Sequence, residues 1–194
     1  MQGITGFKSR TRSAGGCRGF TLVELMITLG VAATLFMIAV PGFRDVILSN
    51  RLSTSANSLV DAVNAARLEA IKLNASTQFC GSTSAINATD ALGTACGTVA
   101  GAVYSQPQGA AGAGVVRATP LELTSPIEAG GDGVKAVRFS GQGFGYKPTD
   151  TTHAPFNDRI AVICTSALSS NNQRIVSMTA GAIVASASST GNCP

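Results

Sequence analysis

The chain has 194 residues, a formal net charge of +4 and an isoelectric point near 9.0. Four of its 14 basic residues, Lys8, Arg10, Arg12 and Arg18, precede the first acidic one, and the ten that follow balance ten acidic residues. The basic balance is therefore no argument for a nucleic-acid partner. With 12% charged residues and a C-terminal half rich in Gly, Ala, Ser and Thr, the composition excludes a disordered acidic tail. Without the leader and one apolar span, about 150 residues remain, enough for one domain with its own core.

Met1 to Gly19 contains no Asp or Glu, so the positive-inside rule keeps this end in the cytoplasm and sends the rest across the membrane. From Phe20 to Val40 there are 21 residues with Glu24 as the only charge, and about 20 apolar residues let a helix cross the hydrocarbon core. A secretory signal peptide has a shorter apolar region, about 7–15 residues, with small residues after it at the cut. Here the small residue, Gly19, comes before a longer run; a cut after Gly19 would remove the basic leader and leave the apolar helix as an anchor. An uncleaved signal anchor explains the topology equally well but gives Glu24 no purpose. A charge in such a segment costs on the order of 2.5–3.5 kcal/mol and is as a rule functional, with a nameable partner.

The string Gly19-Phe20-Thr21-Leu22-Val23-Glu24-Leu25 resembles the class III signal of type IV prepilins and type II secretion pseudopilins. It has Gly before the cut, Phe after it, and Glu as the fifth residue of the mature chain, and Pro41 stands where pilin helices commonly carry a proline. The resemblance implies cleavage after Gly19 by a prepilin peptidase, N-methylation of Phe20, and packing of the helix in a filament core with major and minor pilins. It also gives Glu24 its partner, the N-terminal amine of Phe20 on the neighbouring subunit, a pairing that offsets burial only when that subunit is correctly placed.

Beyond Pro41 and Gly42, a pair expected to bend or loosen the helix, Leu52, Ala56, Leu59, Val63, Ala66, Ala70 and Leu73 recur at spacings of three and four. They form one apolar stripe, with Arg51, Asn57, Asp61, Asn64 and Lys72 polar, so the helix is expected to run from Phe20 to about Asn74. The stripe reads as a face packed on its own domain. Short β-type runs then follow: Thr77–Cys80, Val99–Tyr104, Val115–Ala118, Val134–Phe139, Ile160–Cys164, Arg174–Met178 and Ile183–Ser186. Loops are expected at Gly81–Gly93, Gln106–Gly114, Gly130–Gly133, Gly141–Gly145 and Ser166–Asn172. The expected fold is α+β, an antiparallel sheet assembly laid on the amphipathic half-helix. In the terms of the resemblance this is the type IV pilin fold: a leader over 1–19, an anchor and filament-core helix over 20–41, an amphipathic half over 42–76 and a periplasmic or extracellular β-rich domain over 77–194.

Cys17 leaves with the leader, so the mature chain holds Cys80, Cys96, Cys164 and Cys193. Outside the cytoplasm an even set suggests two disulfides. Three connectivities are open; Cys80–Cys96, closing a Gly/Thr-rich loop, and Cys164–Cys193, tying down the tail, are favoured. Zinc competes poorly, because there is no Cys-x-x-Cys spacing and His153 is the single histidine. No cofactor or metal is expected, and no enzyme. His153 lies in a Pro-rich loop without a nucleophile elbow and reads as solvent-exposed, and Gly141-Gln142-Gly143-Phe144-Gly145 lacks the third-glycine spacing of a dinucleotide site.

Ala65–Asn74 with Gln78-Phe79-Cys80, and Val137–Gly143, resemble the GspH/FimT group of pseudopilins and minor pilins. That group implies three functions. A minor pilin of pilus assembly, initiation or the tip complex ranks first, a type II secretion pseudopilin second, and a DNA receptor for natural transformation last. For DNA reception the resemblance implies a C-terminal Gly-Arg-x-Arg motif contacting phosphates. The matching place here is Gly181-Ala182-Ile183-Val184, without either arginine. Lys135, Arg138, Lys147, Arg159 and Arg174 are the residues that could form a patch instead, with Phe144 and Tyr146 for base stacking. The expected location is the inner membrane, single-pass, with the C-terminal domain in the periplasm and later in the extracellular filament.

Overall fold

The computed structural model describes residues 19–193, with the backbone alone at Pro41. The leader up to Arg18, with Cys17, lies outside the described residues. Two compact units divide between Gly42 and Phe43. Helix α1 (Leu22–Leu73) contributes to both and is unbroken through Pro41 and Gly42, the pair expected to loosen it.

The second unit is an α+β domain. Leu52, Ala56, Leu59, Val63, Ala66 and Ala70 are buried as the three-and-four spacing requires, whereas Arg51, Asn57, Asp61, Asn64 and Lys72 are exposed. Leu73 departs from the stripe at 41% exposed, because the helix ends there. Asn74 takes a left-handed conformation (φ 45°), its N–H donates to the Ile71 carbonyl at 3.2 Å and the Ala75 N–H donates to the Ala70 carbonyl at 3.0 Å. These paired bonds are a Schellman stop, with Asn in place of the commoner glycine.

The strands are β1 (Ser76–Phe79), β2 (Val103–Gln106), β3 (Gly114–Arg117), β4 (Glu128–Ala129), β5 (Val137–Phe139), β6 (Gly145–Tyr146), β7 (Asp158–Cys164), β8 (Gln173–Thr179) and β9 (Ile183–Ser189). They form two antiparallel sheets, ordered β3-β2-β1-β5-β6 and β4-β7-β8-β9. The core joins the stripe of α1 to Phe79, Val103, Val137 and Phe139 of the first sheet and Ile160, Ile163, Val176 and Met178 of the second. The Thr77 hydroxyl donates to the Ala66 carbonyl at 2.6 Å, pinning β1 to the helix eleven residues earlier.

Three expectations need correction. The run Val99–Tyr104 is not one strand: β2 starts at Val103, since the chain turns through Gly101 (φ 87°) after the Val99 N–H returns to the Cys96 carbonyl at 3.0 Å. The expected loop Gly81–Gly93 contains α2 (Ser84–Asn87) and the start of α3 (Ala91–Cys96). Val134–Phe139 narrows to the three residues of β5. The two-residue strands β4 and β6 carry too little pattern to be read from sequence.

Candidate functional site

The N-terminal site is built from Gly19 through the first turn of α1. Gly19, Phe20 and Thr21 precede the helix and are exposed. The Thr21 hydroxyl accepts from the Glu24 N–H at 3.2 Å and the Thr21 carbonyl accepts from the Leu25 N–H at 3.1 Å, so Thr21 caps the helix. Thr21-x-x-Glu24 has the spacing of a capping box. That spacing was visible in the sequence, and it identifies the role of Thr21. Only its forward half is formed: the Glu24 side chain is exposed, and among the described residues it makes neither a hydrogen bond nor an ion pair. A carboxylate in the first turn is favoured by the partial positive charge of the helix N-terminus, which leaves it available to a second cation. The large apolar side chains from Leu22 to Val40 are all exposed, and the helix is long and apolar enough to cross a membrane.

The cysteines pair as Cys80–Cys96 and Cys164–Cys193, with Cα–Cα distances of 5.4 and 5.7 Å. The first pair belongs to a polar clamp that sequence reasoning did not find. Asp90 is the N-cap of α3, accepting from the Gly93 N–H at 3.0 Å, and it also takes a two-armed hydrogen bond from Arg138 at 2.5 and 2.7 Å. The Nε and Nη2 of Arg138 donate to Gln78, its partner across β1 and β5, and Gln78 donates to the Asn87 carbonyl at 2.9 Å. Asn87 itself accepts from the Gly81 N–H at 2.8 Å and donates to the carbonyls of Gly81 and Gly97 at 3.1 and 2.9 Å. The guanidinium holds the Asp90 carboxyl below its ordinary value, mainly through this hydrogen bond.

Of the five basic residues that could form a patch, Lys135 and Lys147 come together on Asp158, whereas Arg138 and Arg174 are turned into the fold. Arg138 is 8% exposed inside the clamp, and Arg174, also 8% exposed, donates to the Asn171 and Gln173 carbonyls and to the hydroxyls of Ser49 and Ser53 on α1. Both arginines are structural here, because a buried guanidinium must fill its donors within the fold. Lys135 and Lys147 share Asp158, at 2.8 and 3.8 Å, and Arg159 lies 3.7 Å from Asp132. The Lys135 ammonium, foremost, depresses the Asp158 carboxyl. Of the stacking candidates, Phe144 is exposed, and half-buried Tyr146 meets the exposed His153 edge-on at 4.5 Å. Burial pushes the Tyr146 hydroxyl up.

Gly181-Ala182-Ile183-Val184 spans the β8–β9 connection and the start of β9. Ala180 and Gly181 are left-handed (φ 53° and 64°) and the Arg67 guanidinium donates to the Ala182 carbonyl at 2.7 Å. A Cβ on Gly181 would lie 2.5 Å from the Gly145 carbonyl oxygen, so this turn needs glycine for space as well as for φ.

A family described as "Type II transport protein GspH" matches residues 55–182, and the "Prokaryotic N-terminal methylation motif" matches residues 15–40. No curated protein and no solved structure matches the chain. The first match begins in the amphipathic half of α1 and ends at the β8–β9 connection, while the second encloses Gly19, Phe20 and Glu24. With more than half of its length under the first and its exposed apolar helix under the second, the chain belongs to the GspH family and is a pilin-like protein of the minor pilin or pseudopilin kind.

Proposed function

We propose that the chain is a minor type IV pilin. It enters the inner membrane with its C-terminal domain on the periplasmic side, is cut after Gly19 by a prepilin peptidase and methylated at Phe20. It then packs through its first helical half among major and minor pilins in the pilus or its tip complex. It has no catalytic role and needs no cofactor.

One observation carries this reading: Glu24, a carboxylate without a partner among the described residues, stands in the first turn of an exposed apolar helix, four residues after Phe20, where the proposed cut would create a new amine. An isolated charge there is a cost in lipid and a fault in a packed core. Opposite the Phe20 amine of a neighbour it becomes a registration contact, because removing either member of a buried pair leaves the other uncompensated. The test is deletion of the gene, with pili counted after shearing and electron microscopy. Loss of pili, restored by wild type but not by Glu24→Ala, supports the role; normal incorporation of Glu24→Ala sinks it. A bulky residue at Gly19 should block maturation.

The second reading, a type II secretion pseudopilin, is favoured by the wording of the family description that covers 55–182. Normal pili together with defective protein secretion in the deletion strain would select it. DNA reception stays below both, since the matching segment has no arginine and Arg138 and Arg174 are buried.

A further inference from the structure

Four strands end the two sheets, and three of them are guarded. Strand β3 has four residues, ends in Arg117 and pairs with β2 through a register shift. The edge strands β4 and β6 have two residues each; β4 carries Glu128, and β6 is followed by Lys147 and Pro148 and bridged by Pro155. Shortness, charge, proline and irregularity are the usual ways of stopping an edge from recruiting a further strand.

Strand β9 has none of these. Its seven residues, Ile183-Val184-Ala185-Ser186-Ala187-Ser188-Ser189, are uncharged, free of proline and paired with β8 in unbroken register. Ala185, Ser186, Ala187 and Ser188 are exposed, so small side chains on both faces leave the outer backbone open. As far as Cys193, the last residue described, the chain's own tail does not cover that edge. It is drawn to the other side, where Asn172 donates to the Gly191 carbonyl at 2.8 Å, Gln173 to the Asn192 carbonyl at 2.8 Å, and Cys193 is bonded to Cys164.

We infer that the free edge of β9 takes an extended, uncharged β-strand from the neighbouring pilin-like subunit of the same filament. Alternating N–H and C=O groups along seven residues are matched all at once only by another extended backbone. A charged strand would be set against Ala and Ser side chains that offer no counter-charge. Size restricts the occupant further. Seven residues of edge fall well short of the ~1,200 Å² of total burial at which stable specific interfaces begin. A freely diffusing protein would not stay, but a subunit already tethered by its own helix is present at an effective concentration in the millimolar range. The inference rests on the filament reading above.

The test uses the full chain in the piliated host. A photo-crosslinking amino acid is placed at Ser186 or Ala187, and at Val115 on β3 as a control. The expected product joins this chain to a pilin-like subunit, identified by mass spectrometry, from the β9 positions and not from Val115. In parallel, Ser186→Lys and Ser188→Lys are introduced together. The variant should be matured and protease-resistant like wild type, while its share in sheared filaments falls about tenfold, as for a lost tethered contact. Normal incorporation of that variant, or β9 crosslinks that are absent or reach only unrelated proteins, overturns the inference. Absence of the wild-type chain from sheared filaments would instead strike the filament reading, so the two failures are separable. If the double variant fails to fold, the crosslinks decide.

Discussion

The two halves of α1 obey the same periodic geometry and meet different surroundings. From Leu22 to Val40 the large apolar side chains are all exposed and the one charge has no partner among the described residues, whereas from Leu52 to Ala70 the apolar stripe is closed under two sheets. The second half is satisfied within its own chain. The first is complete only in lipid or against other helices, since a contiguous exposed apolar surface of this length marks an interaction site. The comparison separates residues that hold the domain together from residues that place it.

Leu59 and Leu29 break that comparison most directly. Leu59 is buried in the core, so Leu59→Ala should lower the domain's unfolding free energy by about 2–5 kcal/mol, the transfer and cavity cost of a core leucine. Leu29 is exposed, and Leu29→Ala should leave the urea midpoint of the domain where it was while reducing incorporation into filaments. Equal shifts in the two midpoints would end the distinction between the halves.

Removal of the Cys80–Cys96 bond by a double Ser substitution comes next. The bond spans a separation of 16 residues, and a loop of that size is stabilised by about 3 kcal/mol on the chain-entropy account. Hydrogen exchange should speed first in α2 and α3. The mutation Arg138→Met removes charge-assisted hydrogen bonds and strands Asp90 and Gln78, at a cost of about 1.5–3 kcal/mol. Because Arg138 is buried in the clamp, the same variant should leave filament incorporation unchanged wherever the domain remains folded. Loss of incorporation without loss of stability would contradict the assignment.

The sequence made the helix legible because its signals are local. Glu24 is conspicuous in an apolar run, and the stripe from Leu52 to Ala70 repeats every three or four residues. The α+β class followed from the change of period after Asn74, and all seven expected strand runs contain strand, with Val99–Tyr104 and Val134–Phe139 misplaced at their starts. What was hidden depends on contacts across long sequence distances. Helices α2 and α3 have only four and six residues, too short for periodicity to show. They are held by Asn87, and by Arg138, 48 residues from Asp90. The same clamp explains why Arg138 looked like a candidate surface cation: its two partners, Gln78 and Asp90, lie on other elements. Arg174 misled for the same reason, its hydroxyl partners lying on α1 at Ser49 and Ser53.

Acid titration is the smallest and most selective test of the domain half. Asp90 is held below its ordinary value of 3.8 by the Arg138 hydrogen bond first, and Asp158 by that of Lys135. A carboxyl whose folded-state value is depressed stabilises the fold fully above the unfolded value and loses that contribution as pH falls through the folded one. The domain should therefore hold its urea midpoint from neutral pH down to the region above 3.8 and weaken below it. The Asp90 side chain is 47% exposed, so solvent screening limits its share to about 1 kcal/mol or less. Asp90→Asn should lower the midpoint at pH 7 and flatten the acid limb, as followed by circular dichroism. An acid limb as steep as that of wild type would show that Asp90 does not titrate against Arg138, and the clamp would then owe its stability to the amides of Gln78 and Asn87.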